Sequence, residues 1–246
     1  VDVILKVTED RPLHLTLEYN NFGNRFVGRN RAVAAVTAGN VLREGDGFTL
    51  RGTKAFSSDS DIFTQVDYSL PVNDRGRRFG VQYASAATNP GAELAVLDIR
   101  GDADIFGFNL QFPLKRTIST RSSLITGFVA KSVDNFILGA TPLSNDEIRA
   151  ITVNYLWSFT DSQHRSIFSG TLTQGLGSAF GGTASGSLTA SRAGASDNFT
   201  RLNVDMARVQ NLANRLNLVA RGTGQLTGTP LLVPEQFAIG GPDSVR

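Results

Sequence analysis

The chain has 246 residues, room for one large β domain or two ordinary ones. It has no cysteine, a net charge of +2 from mixed signs and a mean hydropathy of −0.08. These values exclude a disulfide scaffold, a thiolate metal site and a basic footprint for nucleic acid. No apolar run approaches the roughly 18 residues of a membrane-spanning helix, a test that a membrane β-barrel escapes because only alternate residues of its strands meet lipid.

The chain starts with VDVILKVTED, which reads as a strand and not as a signal peptide. From there the dominant pattern is alternation with period two. LHLTLEY sets Leu13, Leu15, Leu17 and Tyr19 against His14, Thr16 and Glu18. Residues 30–39 are strand-like without a clear phase, and Phe48–Phe56 alternates weakly. IFTQVDYSL sets Ile62, Val66, Tyr68 and Leu70 against Gln65, Asp67 and Ser69. After a weak face at Phe79–Tyr83, DIFGFNLQF puts Phe106, Phe108, Leu110 and Phe112 opposite Ile105, Gly107, Asn109 and Gln111. Residues 119–131 again lack phase. NDEIRAI is a short helix candidate whose apolar residues also fit the start of the following strand. That strand, ITVNYLWSF, gathers Ile151, Val153, Tyr155, Trp157 and Phe159 opposite Thr152, Asn154, Leu156 and Ser158. Weaker faces follow at Phe168–Leu176, Leu202–Met206 and Leu216–Leu226. About eleven strands result, near half the chain against the roughly 20–25% of an ordinary domain, which points to a sandwich or a barrel.

The connections favour the barrel. Even-numbered ones are short: VLREGD, PVNDRGR, PLKRTI, TDSQHR and QNLANR. Odd-numbered ones become long: TNPGAELAVLDIRG, VDNFILGATPLSNDE and SAFGGTASGSLTASRAGASD, with SSDSD a short exception. Trimmed turns at one end and elaborated loops at the other suit an up-and-down outer-membrane barrel, and a Greek-key sandwich has no reason to sort its loops so. The less apolar faces carry Arg51, Gln65, Asp67, Asn109, Gln111, Arg201, Asn203, Asp205, Arg221 and Gln225, which on a barrel line a hydrated lumen. The other face is nearly free of charge, with Lys54 the main exception, placed to snorkel from a strand end. Tyr19, Phe56, Tyr68, Phe112 and Phe159 fall near strand ends, where interfacial girdles sit. With long loops outside, the first strand runs outward and the N-terminus is periplasmic. An odd strand count does not close a bacterial barrel, so further strands are expected after Arg246.

Catalytic signals are poor. His14 and His164 have no metal-ligand spacing, and no G-x-S-x-G motif supplies a hydrolase serine. GLGSAFGG, Gly175 to Gly182, has the look of a phosphate loop but no helix follows it. SDSD at 58–61 and DAD at 102–104 are carboxylate pairs that could touch Ca²⁺, but short acidic clusters are far more often solvated loop ends, because Ca²⁺ takes six or more oxygen ligands. NFT at 198–200 matches a glycosylation sequon by chance. No enzyme activity, cofactor or metal is expected.

Four stretches carry a resemblance to the two-partner secretion transporters (TpsB proteins, the ShlB/FhaC/HecB haemolysin secretion/activation family) of the BamA-like outer-membrane superfamily. VDVILKVTEDRP resembles the last strand of a POTRA domain entering the barrel, LEYNNFGNRFVGRNRA the first hairpin, and DYSLPVNDRGRRFGVQYA the second periplasmic turn. PEQFAIGGPDSVR resembles the start of the sixth extracellular loop. The resemblance implies a POTRA strand at 1–10 and, over 11–246, the first part of a barrel of about sixteen strands, ending inside that loop. It implies that Gly240, Gly241 and Pro242 precede the loop motif, and that Val245 and Arg246 open it, the arginine pairing with an acidic residue on a later strand. It further implies a monomeric pore in outer-membrane lipid that passes an unfolded TpsA-type exoprotein to the cell surface. A BamA-like insertase, a soluble β-sandwich binding module and an outer-membrane hydrolase are the competing readings.

Overall fold

The computed structural model describes residues 12–23, 26, 28–56, 62–213 and 216–238. The strand expected at 1–10 and the loop-motif residues Gly240, Gly241, Pro242, Val245 and Arg246 lie outside the described residues. Eleven strands follow in chain order: β1 (Leu13–Asn20), β2 (Arg31–Gly39), β3 (Gly47–Ala55), β4 (Ile62–Pro71), β5 (Arg78–Thr88), β6 (Arg100–Arg116), β7 (Thr120–Ile137), β8 (Thr141–Thr160), β9 (His164–Gly175), β10 (Thr200–Ala213) and β11 (Leu216–Thr227). They form one antiparallel sheet in which each strand pairs with its sequence neighbours. The sheet is open between β1 and β11.

Paired residues of an antiparallel sheet share a face, so the register separates the two sides. Asp67 stands opposite Gln82, Gln82 opposite Gly107, Asn109 opposite Gly127 and Gly127 opposite Thr152. Thr152 then faces Thr173, Thr173 faces Arg201, and Arg201 faces Thr227. That side is the polar face. The other side reads Leu50, Val66, Tyr83 and Phe106 across β3 to β6, and Leu110, Thr126, Val153, Leu172, Leu202 and Leu226 across β6 to β11. A sandwich would bury this apolar face under a second sheet. Instead Leu15 is 66% exposed, Phe106 46% and Met206 57%. With all eleven strands in one sheet, the sandwich reading falls, and the apolar face is the lipid-facing side of a transmembrane up-and-down barrel. Tyr19 and Phe56 meet at 6.2 Å near the loop end, and Trp157 and Phe159 stack at 6.2 Å near the turn end.

The missing phases have a cause. The polar-face positions of β2 are Arg31, Val33, Ala35, Thr37 and Gly39, and the other side is Ala32, Ala34, Val36 and Ala38. Small residues on both sides give no contrast. Two expectations change. NDEIRAI belongs to β8 and forms no helix. The connection expected over VDNFILGATPLSNDE is mostly strand, since β7 and β8 run 18 and 20 residues and leave only 138–140 between them. The elaboration at that end is longer strand, not longer loop. It also brings charge to the nominally apolar side, because Asp102, Asp104, Asp134, Glu147 and Arg149 sit there in the loop-end parts of β6, β7 and β8. Lys54 is the penultimate residue of β3, as snorkelling requires.

The turn end is tightly made. Asp46 accepts the backbone N–H groups of Val41, Leu42 and Arg43 at 2.7, 2.8 and 2.8 Å, and the Tyr68 hydroxyl at 2.7 Å. Burial alone would raise its pKa, but the Tyr68 hydroxyl and these N–H groups outweigh that and hold it down at about 2.

The faces can be tested with adjacent residues of β9. Leu172→Arg places a charge on the lipid side and should cost the complete barrel about 2–4 kcal/mol. Thr171→Arg places it on the polar face and should change stability by less than about 1 kcal/mol. Urea unfolding of the full-length protein in phosphatidylcholine vesicles measures both.

Candidate functional site

The site begins with an overhang. β9 ends at Gly175, opposite Ala150, so residues 141–149 of β8 lack a strand partner on that side. Buried backbone groups require partners, and residues 176–199 supply them without forming a strand. Leu176 N–H donates to the Arg149 carbonyl at 2.8 Å, Thr183 N–H to that of Glu147 at 2.7 Å, and Asn145 N–H to that of Thr189 at 2.8 Å. Glu147 N–H donates to Thr183 Oγ1 at 2.8 Å, and Ser191 N–H to Asp146 Oδ1 at 2.9 Å.

This loop explains the glycines that look like a phosphate loop. A Cβ at Gly175 or Gly182 would collide with Asp197, with its main-chain oxygen and its carboxylate respectively. Gly177 and Gly181 take φ of 73° and 81°, a left-handed conformation open to glycine. The glycines therefore make room for Asp197, which is fully buried and accepts the Arg149 N–H at 3.1 Å through Oδ2. Burial pushes its pKa up to about 6, against the pull of the Arg149 and Gly177 N–H groups and with a further push from the nearby Glu235 charge.

The chain after β11 completes the site. Leu231 and Leu232 are buried with Ile148 and Ala150 of β8 and with Ala195 and Phe199, against Val129 and Ala190. This cluster lies on the otherwise polar face. Val233–Glu235 forms a single 3₁₀ turn, fixed by Val233 N–H to Ser191 Oγ at 3.0 Å and by Gln236 Nε2 to the Leu231 carbonyl at 3.0 Å. The turn delivers Glu235, 1% exposed, between two cations. Lys131 Nζ of β7 donates to Oε1 at 2.5 Å. Arg201 Nη1 of β10 stands 2.6 Å from Oε2, but its hydrogen bond goes to the Glu235 main-chain oxygen at 2.8 Å. Gln225 Nε2 of β11 reaches the same oxygen at 3.0 Å. One loop residue thus spans β7 to β11, where β7 and β10 alone would lie about 14 Å apart in a flat sheet.

The polar positions singled out in the sequence fall on one face. Arg51 is opposite Gln65, whose Nε2 donates to Asp67 at 2.8 Å. Asn109 lies over Gly80 and Gly127, Gln111 is opposite Arg78, and Asp205 accepts the Thr223 hydroxyl at 2.7 Å. Arg221 is opposite Ala207 and remains exposed. Of these residues, Arg201 and Gln225 hydrogen-bond to the described part of the folded-in segment. Lys131, Asp146, Asp197 and Glu235 escaped the sequence reading. Lys131 sits in the strand without phase, and no periodicity marks the loop residues. The two histidines stay apart: His14 is on the polar face of β1, whereas His164 opens β9, 3.2 Å from Asp161 and stacked on Phe159. Among the described residues no group of three or more His, Asp or Glu is placed to hold a metal. Residues 58–61 lie outside the described residues, and Asp104 accepts the Tyr83 hydroxyl at 2.6 Å.

Over residues 1–246 the sequence matches the family described as haemolysin secretion/activation protein ShlB/FhaC/HecB. The chain belongs to this family. No curated protein matches it. Among solved structures it is similar to CdiB from Escherichia coli, with a TM-score of 0.83 and 17% identity over 98% of this chain and 45% of that one. It is also similar to BamA from Haemophilus ducreyi lacking POTRA domains 1–3, with a TM-score of 0.63 and 14% identity over 97% of this chain and 46% of that one. At these identities the likeness shows the fold, and the chain spans less than half the length of either structure.

Asp197 makes the loop pH-sensitive. Its folded pKa lies above the 3.8 of a free aspartate, so its contribution is fully present below about pH 3.8 and is lost as pH rises through about 6. From about pH 7.5 to about pH 5, exchange of the Thr183 and Asp197 amides should slow beyond the intrinsic pH effect, and Asp197→Asn should abolish that excess. Gly182→Val should speed exchange of the same amides at every pH while the sheet stays protected. Hydrogen exchange with mass spectrometry reads both variants.

Proposed function

We propose that the chain is the first part of an outer-membrane pore that passes an unfolded exoprotein from periplasm to cell surface in two-partner secretion. Membership of a secretion/activation family supports this reading. The observation that carries it is the pairing of an exposed apolar face with a polar face onto which two loops fold. A pore for an unfolded chain needs such an inner wall, wet and mixed in charge, so that no site holds the client too tightly to leave. In this reading Arg51, Gln65, Asp67, Asn109, Gln111, Arg201, Asp205 and Arg221 line the lumen. Residues 1–10 end a periplasmic POTRA domain, the N-terminus is periplasmic, and the complete barrel is a monomer surrounded by lipid. Val245 and Arg246, after Gly240, Gly241 and Pro242, open the sixth-loop motif. The guanidinium suits that role because it pairs bidentately with a carboxylate.

Deleting the gene in the source cells and comparing the secreted proteins tests the reading. The expected outcome is loss of one or a few large polypeptides from the surface and medium, with their retention in the periplasm and recovery on complementation. A general loss of outer-membrane proteins would favour the BamA-like insertase instead, and an unchanged surface and medium would overturn the pore.

A further inference from the structure

We propose that Glu235 is a positioning residue, the pin that holds the segment after β11 across the inner wall, and that freeing it widens the conducting path. The inference rests on the pore reading and adds to it the residue that sets the resting width.

Three observations carry it. First, Glu235 is buried although it lies in a connection and not in the wall, and it meets cations from strands three apart. Neither Lys131 nor Arg201 has a carboxylate partner in its own strand pairing: Lys131 is opposite Ile105 and Ile148, and Arg201 is opposite Thr173 and Thr227. Glu235 is the counter-charge for both. Second, the pin is held at several points: Lys131 Nζ donates to Oε1, Arg201 Nη1 stands 2.6 Å from Oε2, and Arg201 and Gln225 both donate to the main-chain oxygen. Desolvation offsets much of the attraction in a buried ion pair, so this one fixes position more than it adds stability. Removing one partner is a different matter, since it leaves buried charge uncompensated. Third, the apolar anchors Leu231 and Leu232 precede Glu235 by a few residues. They hold the base of the segment to the wall, while Glu235 sets the direction in which the chain continues to Phe237.

The test uses the full-length protein in planar lipid bilayers. Glu235→Gln keeps the shape and removes the charge, leaving Lys131 and Arg201 to repel each other. It should raise mean conductance or open probability at least about threefold with the barrel still heat-modifiable on gels. Lys131→Met with Arg201→Met should raise it similarly. In a background without other cysteines, Lys131→Cys with Glu235→Cys should also conduct more, and joining the two thiols with a short bis-methanethiosulfonate should restore the low value until reductant is added. A role confined to folding would not give that reversible rescue. Wild-type conductance in a folded Glu235→Gln protein, or a cross-link without effect, would overturn the pin as a determinant of width. Should the wild type form no channel at all, the pore reading fails, and the pin is still judged by hydrogen exchange. Glu235→Gln should speed exchange of the Leu232, Val233 and Glu235 amides at least about tenfold, and unchanged exchange would overturn it.

Discussion

Each strand of this sheet must satisfy its backbone N–H and C=O groups on a neighbouring strand, because one of its faces has no water to offer. In lipid an unpaired backbone group costs several kcal/mol, so spanning segments are helices or strands of a closed sheet. The architecture follows from that. Short turns keep sequence neighbours paired in strict order from β1 to β11, and no strand crosses over another. The two faces can then differ completely, since the side chains play no part in the ladder. The constraint also explains the loop end. Where β8 outlasts β9, its free edge is not left open; residues 176–199 donate to it and accept from it in the place of a strand.

The only hydrophobic cluster of buried residues described lies on the polar face, which is the reverse of a soluble protein. The lipid-facing side chains have no protein to pack against, so they add little to internal cohesion. Val129, Ile148 and Ala150 are apolar residues on the inner wall, and they become a core only because two loops cover them. The same cover lowers the local dielectric around Lys131, Arg201, Asp197 and Glu235. Charge interactions that would be slight in an open lumen therefore become strong there. Two cations face one firmly placed carboxylate, and a second carboxylate, Asp197, has its proton affinity raised by burial beside the first.

Much of the wall was legible because period two is a geometric property of a strand, and lipid on one side with water on the other writes it in strong contrast. β6 and the later half of β8 show the contrast plainly, with Phe106, Phe108 and Leu110 against Gly107 and Asn109. β2 does not, since alanine, valine and threonine suit either side. β7 does not either: Ile125, Val129 and Lys131 share the polar face, Val129 packed against the buried cluster and Lys131 in its ion pair. Loop lengths misled at β7 and β8, where polar residues that signal a loop in a membrane strand are acceptable in a strand that has risen clear of lipid. Glu235 was illegible for a different reason. Its importance comes from two strands that lie 104 and 34 residues earlier in the chain, and no local pattern encodes such a meeting.

The arrangement separates what holds the barrel from what holds its contents. Ladder hydrogen bonds hold the wall from β1 to β11, except along β8 beyond Ala150, where the loop takes the place of a strand. The loops depend instead on a small apolar cluster and on the buried ion pairs of Glu235. Such a site is well defined in position and modest in net stability, because desolvation offsets much of the attraction between its charges. The pore proposed above, which would open to a passing chain and reclose, calls for that combination, since a purely apolar contact would not return the segment to one register. The glycines at 175 and 182 serve the same end, since by yielding space to Asp197 they let the β9–β10 loop close over the pin without a strand of its own.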